Sequence, residues 1–270
     1  MPALDHVVFN TRDQTDRIVA LFEAMGFFVT PRGVHTLGSI NHTIVFDTSY
    51  LELLGYLPGS PPPLRPELAR HPAGLMATVL RTTDAEATHR QLVQAGLVPR
   101  AVQSFSRPVS LDDGSIADAA FRVTRLEPDV VPGTWFYFCQ HLTPQLVWRP
   151  QWQHHPVGGF RILGLESAVP DPQGAANLYR TCIGLPASKG DSDDMADDSG
   201  TVFLHAEGWT MRLRPGATGM RGITIAVPSF APLRQRLEAA SIPFLANAGA
   251  IEVPHFAGTD CRLQFIVQAR

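Results

Sequence analysis

Residues 4–9, Leu4-Asp5-His6-Val7-Val8-Phe9, form a short apolar run interrupted by one aspartate and one histidine, and the unit that this run opens recurs three more times along the chain. The run is rich in β-favouring residues and predicts a strand. Behind it, Ile18, Leu21, Phe22 and Met25 fall at helical spacing over residues 13–25, and Gly26 supplies the stop. Two further strand-like runs come at residues 41–46 and 50–56, with Asp47-Thr48-Ser49 as the turn between them. A second opening at 75–80 leads into a helix over 84–95, with Thr83 as candidate N-cap, and then into strands at 116–126 and 134–140. A third opening at 160–169 precedes a helix near 173–182 and paired runs at 201–206 and 209–213. The fourth opening, 222–227, precedes a helix over 229–240 and runs at 250–253 and 261–267.

A strand–helix–strands unit repeated four times is stronger evidence of architecture than any single propensity. One such unit cannot cover both faces of its own strands, so units must pair to bury them. The expectation is an α+β fold of four βαβββ modules, the first two making one curved eight-stranded sheet and the last two another. The division falls at residues 1–150 and 151–270, with residues 149–159, which hold Pro150, Pro156 and a glycine pair, as linker.

Composition narrows the function classes. Charged residues are 17% of the chain and the formal net charge is -3, so there is no basic footprint for nucleic acid and no polybasic membrane patch. No apolar stretch approaches the roughly 18 residues that cross a bilayer, and residues 1–10 lack the basic and apolar regions of a secretory leader. Three scattered cysteines, Cys139, Cys182 and Cys261, predict buried thiols and a cytoplasmic setting rather than a disulfide framework. Nucleotide-binding glycine loops, a serine-hydrolase elbow and a zincin helix are all missing from the sequence. The acidic run at 190–199 lacks the glycine and closing glutamate of a calcium loop and predicts a solvated connection.

The strings LDHVVFNT (4–11), GVHTLGSINHTIVF (33–46) and YLELLGY (50–56) resemble the first module of glyoxalase-like proteins of the vicinal oxygen chelate superfamily. WFYFCQHLTPQLVWRPQWQHHP (135–156) resembles the end of a second module, and GLESAVPDP (164–172) the opening of a third. The resemblance implies cup-like half-barrel sheets with helices outside, a small-molecule substrate and a homodimer. It also implies a divalent metal that chelates two neighbouring substrate oxygens. His6 stands where the family's first-strand ligand stands, and Glu52 occupies the last-strand position of the same module. Each is also a lone polar residue in an apolar strand, and imidazole with carboxylate suits Zn, Mn, Fe, Co or Ni better than Ca. The second module departs from the pattern, with Met76 and Ala77 where a ligand is usual. Gln140 or His141 supplies the further ligand, but not both, because neighbouring strand residues face opposite sides.

His35 and Asn41, beside the Gly38-Ser39 turn, are candidate substrate contacts at the mouth of the cup, and Trp135 and Tyr137 candidate walls. Arg122 and Arg125 read as solvated edge charges, and His154-His155 as linker surface. The favoured activity is that of a metal-dependent lyase or isomerase. The ion would stabilise enediolate-like charge, and Glu52 would serve as base. An extradiol-type dioxygenase using two histidines and one carboxylate is a variant, and a metal-free small-molecule binding or drug-sequestration protein the alternative. Glu166 falls near the position of His6 in the C-terminal pair, where its expected partners are Arg212 and Gln264.

Overall fold

The computed structural model describes residues 2–59, 66–111, 113–185 and 196–269. In the first half, strands β1 (Leu4–Arg12), β2 (Gly33–Val34), β3 (Ile40–Val45), β4 (Tyr50–Gly55), β5 (Gly74–Arg81), β6 (Gln103–Ser110), β7 (Ile116–Arg125) and β8 (Trp135–His141) form one curved sheet. Their order is β2-β3-β4-β1-β5-β8-β7-β6. The two modules meet at the antiparallel pair β1–β5, and each central strand is flanked by its own module's last strand in parallel, β4 beside β1 and β8 beside β5. Helices α1 (Thr15–Ala24) and α3 (Ala85–Gln94) make the crossovers, and a short α2 (Pro66–Arg70) precedes β5.

The second half repeats this plan with strands β9 (Arg161–Val169), β10 (Val202–Ala206), β11 (Trp209–Pro215), β12 (Gly219–Val227), β13 (Leu245–Ala246), β14 (Ile251–Val253) and β15 (Arg262–Val267). Their order is β10-β11-β9-β12-β15-β14-β13, with α4 (Pro172–Cys182) and α5 (Ala231–Ala239) as crossovers. The four openings therefore start at residues 4, 74, 161 and 219, and modules pair in sequence order. Eight strands were expected in this second sheet; seven are present among the described residues, two of them following the helix of the third module. The acidic run reaches across residues 190–195, which lie outside the described residues.

Strand alternation gives each sheet two faces. Val7, Phe9, Leu51, Leu53, Phe136 and Phe138 share one large core with Leu165, Ile223 and Phe265 of the second sheet and with the apolar faces of α1, α3, α4 and α5. The helices thus cover the outer face of each cup, and the two halves meet there. The opposite face of the first sheet carries Val8, Tyr50, Val79, Phe121, Trp135, Tyr137 and Cys139, a separate core that lines the hollow side.

Local chemistry adjusts the expected boundaries. The N-cap of α3 is Asp84, whose Oδ1 accepts from Ala87 N at 3.0 Å, and not Thr83. Residues 149–159 are a packed strap with a short 3-10 turn over Pro150–Trp152. His155 in this strap is buried, not surface: Phe28 N donates to its Nδ1 at 3.0 Å, so its Nε2 carries the proton and donates to Val45 O at 3.0 Å. All three cysteines are free and buried. No helix among the described residues is long and apolar enough to cross a membrane.

Candidate active site

The hollow side of the first sheet holds a small pocket that opens to solvent. Its chemistry begins on β1, where a bulge between Leu4 and His6 breaks regular alternation. Asp5 is fully buried beside His6, and its Oδ1 accepts from His6 Nδ1 at 2.6 Å and from His141 Nε2 at 2.9 Å. Its Oδ2 accepts from Arg81 Nε at 3.1 Å. Burial alone would raise the Asp5 pKa, but the charge and hydrogen bond of His141 and the hydrogen bond of His6 outweigh it. The carboxyl is held well below the usual range and stays ionised.

An ionised Asp5 fixes the His6 proton on Nδ1 and leaves the Nε2 lone pair facing the pocket. The ring is braced by stacking on Tyr50 at 4.5 Å between centroids. Nε2 looks toward Glu52 Oε2 at 3.8 Å and the Tyr137 hydroxyl at 3.5 Å. Glu52, on β4, is itself buried, and Asn41 Nδ2 on the neighbouring β3 donates to its Oε1 at 2.8 Å. The same Oε1 stands 3.8 Å from His35 Nε2. His35 is held by the Gly38 turn, where its Nδ1 pairs with Ser39 Oγ at 2.9 Å and its backbone N–H donates to Ser39 O at 2.8 Å.

The structure therefore gathers His6, Glu52, His35, Asn41 and Tyr137 around one pocket, and leaves three other sequence candidates outside that group. Gln140 points to the opposite side of β8, where its Oε1 accepts from Ala85 N at 3.1 Å and its Nε2 donates to Thr83 O at 2.8 Å, closing the start of α3. His141 lies behind Asp5, packed on Trp148 at 4.8 Å, with its Nδ1 buried and unpaired. Trp135 is tied by Nε1 to Leu126 O at 2.8 Å and is not part of the lining. Arg125, expected to be a solvated edge charge, is buried in the lining, where Nη1 donates to Gln103 Oε1 at 2.5 Å. Arg122, in contrast, pairs with Glu86 at 2.6 Å and stays partly exposed. Asp5 and Arg107 are site residues that the sequence did not single out.

Imidazole and carboxylate are the donor types that suit a divalent transition ion, and each imidazole faces a Glu52 oxygen, although the ligand atoms of His6, Glu52 and His35 do not all lie within 4.8 Å of one another. Ligands bound at about 2.1 Å to one ion stand roughly 3–4 Å apart, close to the separations from Glu52 to the two imidazoles. Among the described residues, the group of three whose ligand atoms all lie within 4.8 Å of one another is Asp5, Cys139 and His141. Asp5 there already accepts three hydrogen bonds, and burial together with the Asp5 and Glu52 charges pushes the Cys139 thiol well up, so the sulfur is protonated. The corresponding side of the second sheet holds a different arrangement. Glu166 accepts from Arg212 at 2.9 Å, Arg214 at 3.0 Å and Arg262 at 2.6 Å, while Gln264 pairs with Thr224 instead.

Paired βαβββ modules curled around a histidine–carboxylate pocket define a protein of the vicinal oxygen chelate superfamily. More narrowly, the chain belongs to the glyoxalase-like domain family, which matches residues 4–183. Among solved structures, a hypothetical protein from Staphylococcus aureus aligns over 98% of this chain and 99% of its own, with TM-score 0.70 and 12% identity. The Mn(II)-bound glyoxalase from Novosphingobium aromaticivorans aligns over 99% and 82%, with TM-score 0.56 and 14% identity. A mutant of 4-hydroxymandelate synthase from Streptomyces coelicolor aligns over 100% and 94%, with TM-score 0.56 and 15% identity. At these identities the likeness is one of fold. A search of curated proteins gave no match.

Proposed function

We propose that the chain is a divalent-metal-dependent enzyme acting on a small oxygenated molecule, with His6, Glu52 and His35 as ligands and proton transfer next to a carbonyl as its reaction. One observation carries this reading: Nε2 of His6 and Nε2 of His35 each lie 3.8 Å from a different oxygen of the buried Glu52, while Asp5 locks the outer nitrogen of His6. The bound ion supplies Lewis acidity toward two neighbouring substrate oxygens. The protein's own residues do the rest. Asp5 and Tyr50 fix the His6 ring, and Asn41 holds Glu52 by Oε1, leaving Oε2 as the atom that takes or returns a proton. The Tyr137 hydroxyl sits where it can donate to a substrate oxygen, and Phe105, Phe121 and Val123 limit water in the pocket. Three buried thiols suit a reducing, cytoplasmic setting.

Two imidazoles and one carboxylate also make up the ligand set of non-haem iron oxygenases, so His35 favours dioxygenase chemistry as the second reading. Elemental analysis of untagged protein, with His6→Ala, His35→Ala and Glu52→Ala beside it, tests the shared premise. The expected result is about one equivalent of Mn, Fe, Co, Ni or Zn in the parent and a large loss in each variant. A parent that takes up none of these ions overturns the metal reading and leaves a binding protein. Oxygen consumption by the Fe(II)-loaded protein with candidate substrates separates the two chemistries.

A further inference from the structure

Arg107 projects from β6 into the same pocket, on the face of the strand that also carries Phe105 and Val109. It is 5% exposed, yet among the described residues its guanidinium makes no hydrogen bond, ion pair or aromatic contact. Such a group is costly to bury, because its N–H donors lose most of their water and gain no protein partner in exchange. The surroundings are built to keep it there all the same. Gly33 lies against it, and a side chain at that position would come within 3.0 Å of Arg107 Cδ and 2.4 Å of Asn41 Oδ1. Burial lowers its pKa, and the nearby Tyr50 and Glu52 offset this only in part, without pairing with it. With Arg125 also in the lining and Glu52 as its one carboxylate, the pocket carries an excess of positive charge before any ion is added.

We propose that Arg107 is the anchor for a substrate carboxylate. The pocket then takes a small carboxylic acid whose other oxygens face His6, Glu52 and His35. A carboxylate matches the fork of a guanidinium with two parallel hydrogen bonds. The Phe105, Phe121 and Tyr137 rings supply apolar walls for the carbon skeleton. This deepens the metal-enzyme reading by naming its substrate class, but the carboxylate contact itself needs no metal.

The test uses the full chain stripped of metal by chelator, with benzoate as probe, followed by calorimetry and thermal denaturation. Benzoate is expected to bind and raise Tm, Arg107→Met to weaken binding at least about tenfold, and Arg107→Lys to recover part of it. Benzoate binding is read without metal and metal uptake without benzoate, so a failed metal experiment and a failed carboxylate experiment are distinguishable. Without ligand, Arg107→Met should be as stable as the parent or more so, since it removes an unpaired buried cation. No benzoate binding by the parent, parent-like benzoate binding by Arg107→Met, a fall in its unliganded Tm, or binding of inorganic phosphate in preference to benzoate would each overturn the proposal. If Arg107→Met does not fold, 15N spectra of the parent decide: the Arg107 side-chain resonances must move on adding benzoate, and unmoved resonances overturn it.

Discussion

Asp5 shows how one residue can organise a site without facing the pocket. A fully buried carboxylate is tolerated because three donors converge on it, and in return it sets which nitrogen of His6 is free. Asp5→Asn should therefore lower metal affinity about 10–100-fold, the usual cost of losing such a partner behind a ligating histidine. It should also reduce stability on the order of 2 kcal/mol through the lost charge-assisted bonds. Metal titration and urea denaturation would check the two effects separately, and unchanged affinity would show that His6 needs no such brace. His6 and Glu52 were legible in the sequence because each is a polar residue in an otherwise apolar run, and the family resemblance gave them roles. Asp5 was not, because regular alternation sends it to the face opposite His6; the bulge that lets both act together leaves no mark in residue types.

At the scale of elements, the legible strands were those with apolar runs. Gln103–Ser110 has three serines, an arginine and a proline, and nothing in it signals a strand. It is nonetheless β6, the sheet's edge, where Pro108 is admissible because only one side of the ladder needs its donors. Missing that strand meant missing Arg107. Gln140 shows the opposite difficulty: the family resemblance offered it as a further ligand, whereas its side chain satisfies Thr83 O and Ala85 N where α3 begins. Helix starts leave backbone N–H groups without partners, and from sequence alone a side chain that meets one looks the same as a ligand. Gln140→Ala is expected to lower stability by about 1 kcal/mol while leaving metal uptake as in the parent. A variant that lost its metal without losing stability would return Gln140 to the ligand set.

For the whole molecule, the four-module plan was readable because the repeat is carried by spacing and glycine stops rather than by any one motif. How the halves bind each other was not, since apolar residues on a sheet's outer face do not say what they will touch. In the structure, Phe256 packs edge-on against Phe9 at 5.8 Å and in a tilted contact against Phe22 at 4.8 Å, joining the second sheet's last loop to β1 and α1. Phe27 stacks on Phe265 at 6.1 Å, and Phe136 meets Tyr179 of α4 at 5.4 Å. Polar contacts cross the same boundary: Leu75 N donates to Cys261 Sγ at 3.1 Å, and Thr134 Oγ1 to Met220 Sδ at 3.3 Å. With one apolar core shared by both sheets, neither half can open without exposing the other's buried face, so both should unfold in a single transition. Phe256→Ala, which empties a fully buried site between them, should cost about 3–5 kcal/mol and keep that transition single. Hydrogen exchange checks this strand by strand: core amides of β1 and β5 and of β9 and β12 should all exchange through the same global opening, and all should speed up together in the variant. If only β9–β15 lost protection while β1–β8 kept theirs, the halves would be independent domains, and the pocket of the first sheet would owe nothing to the second.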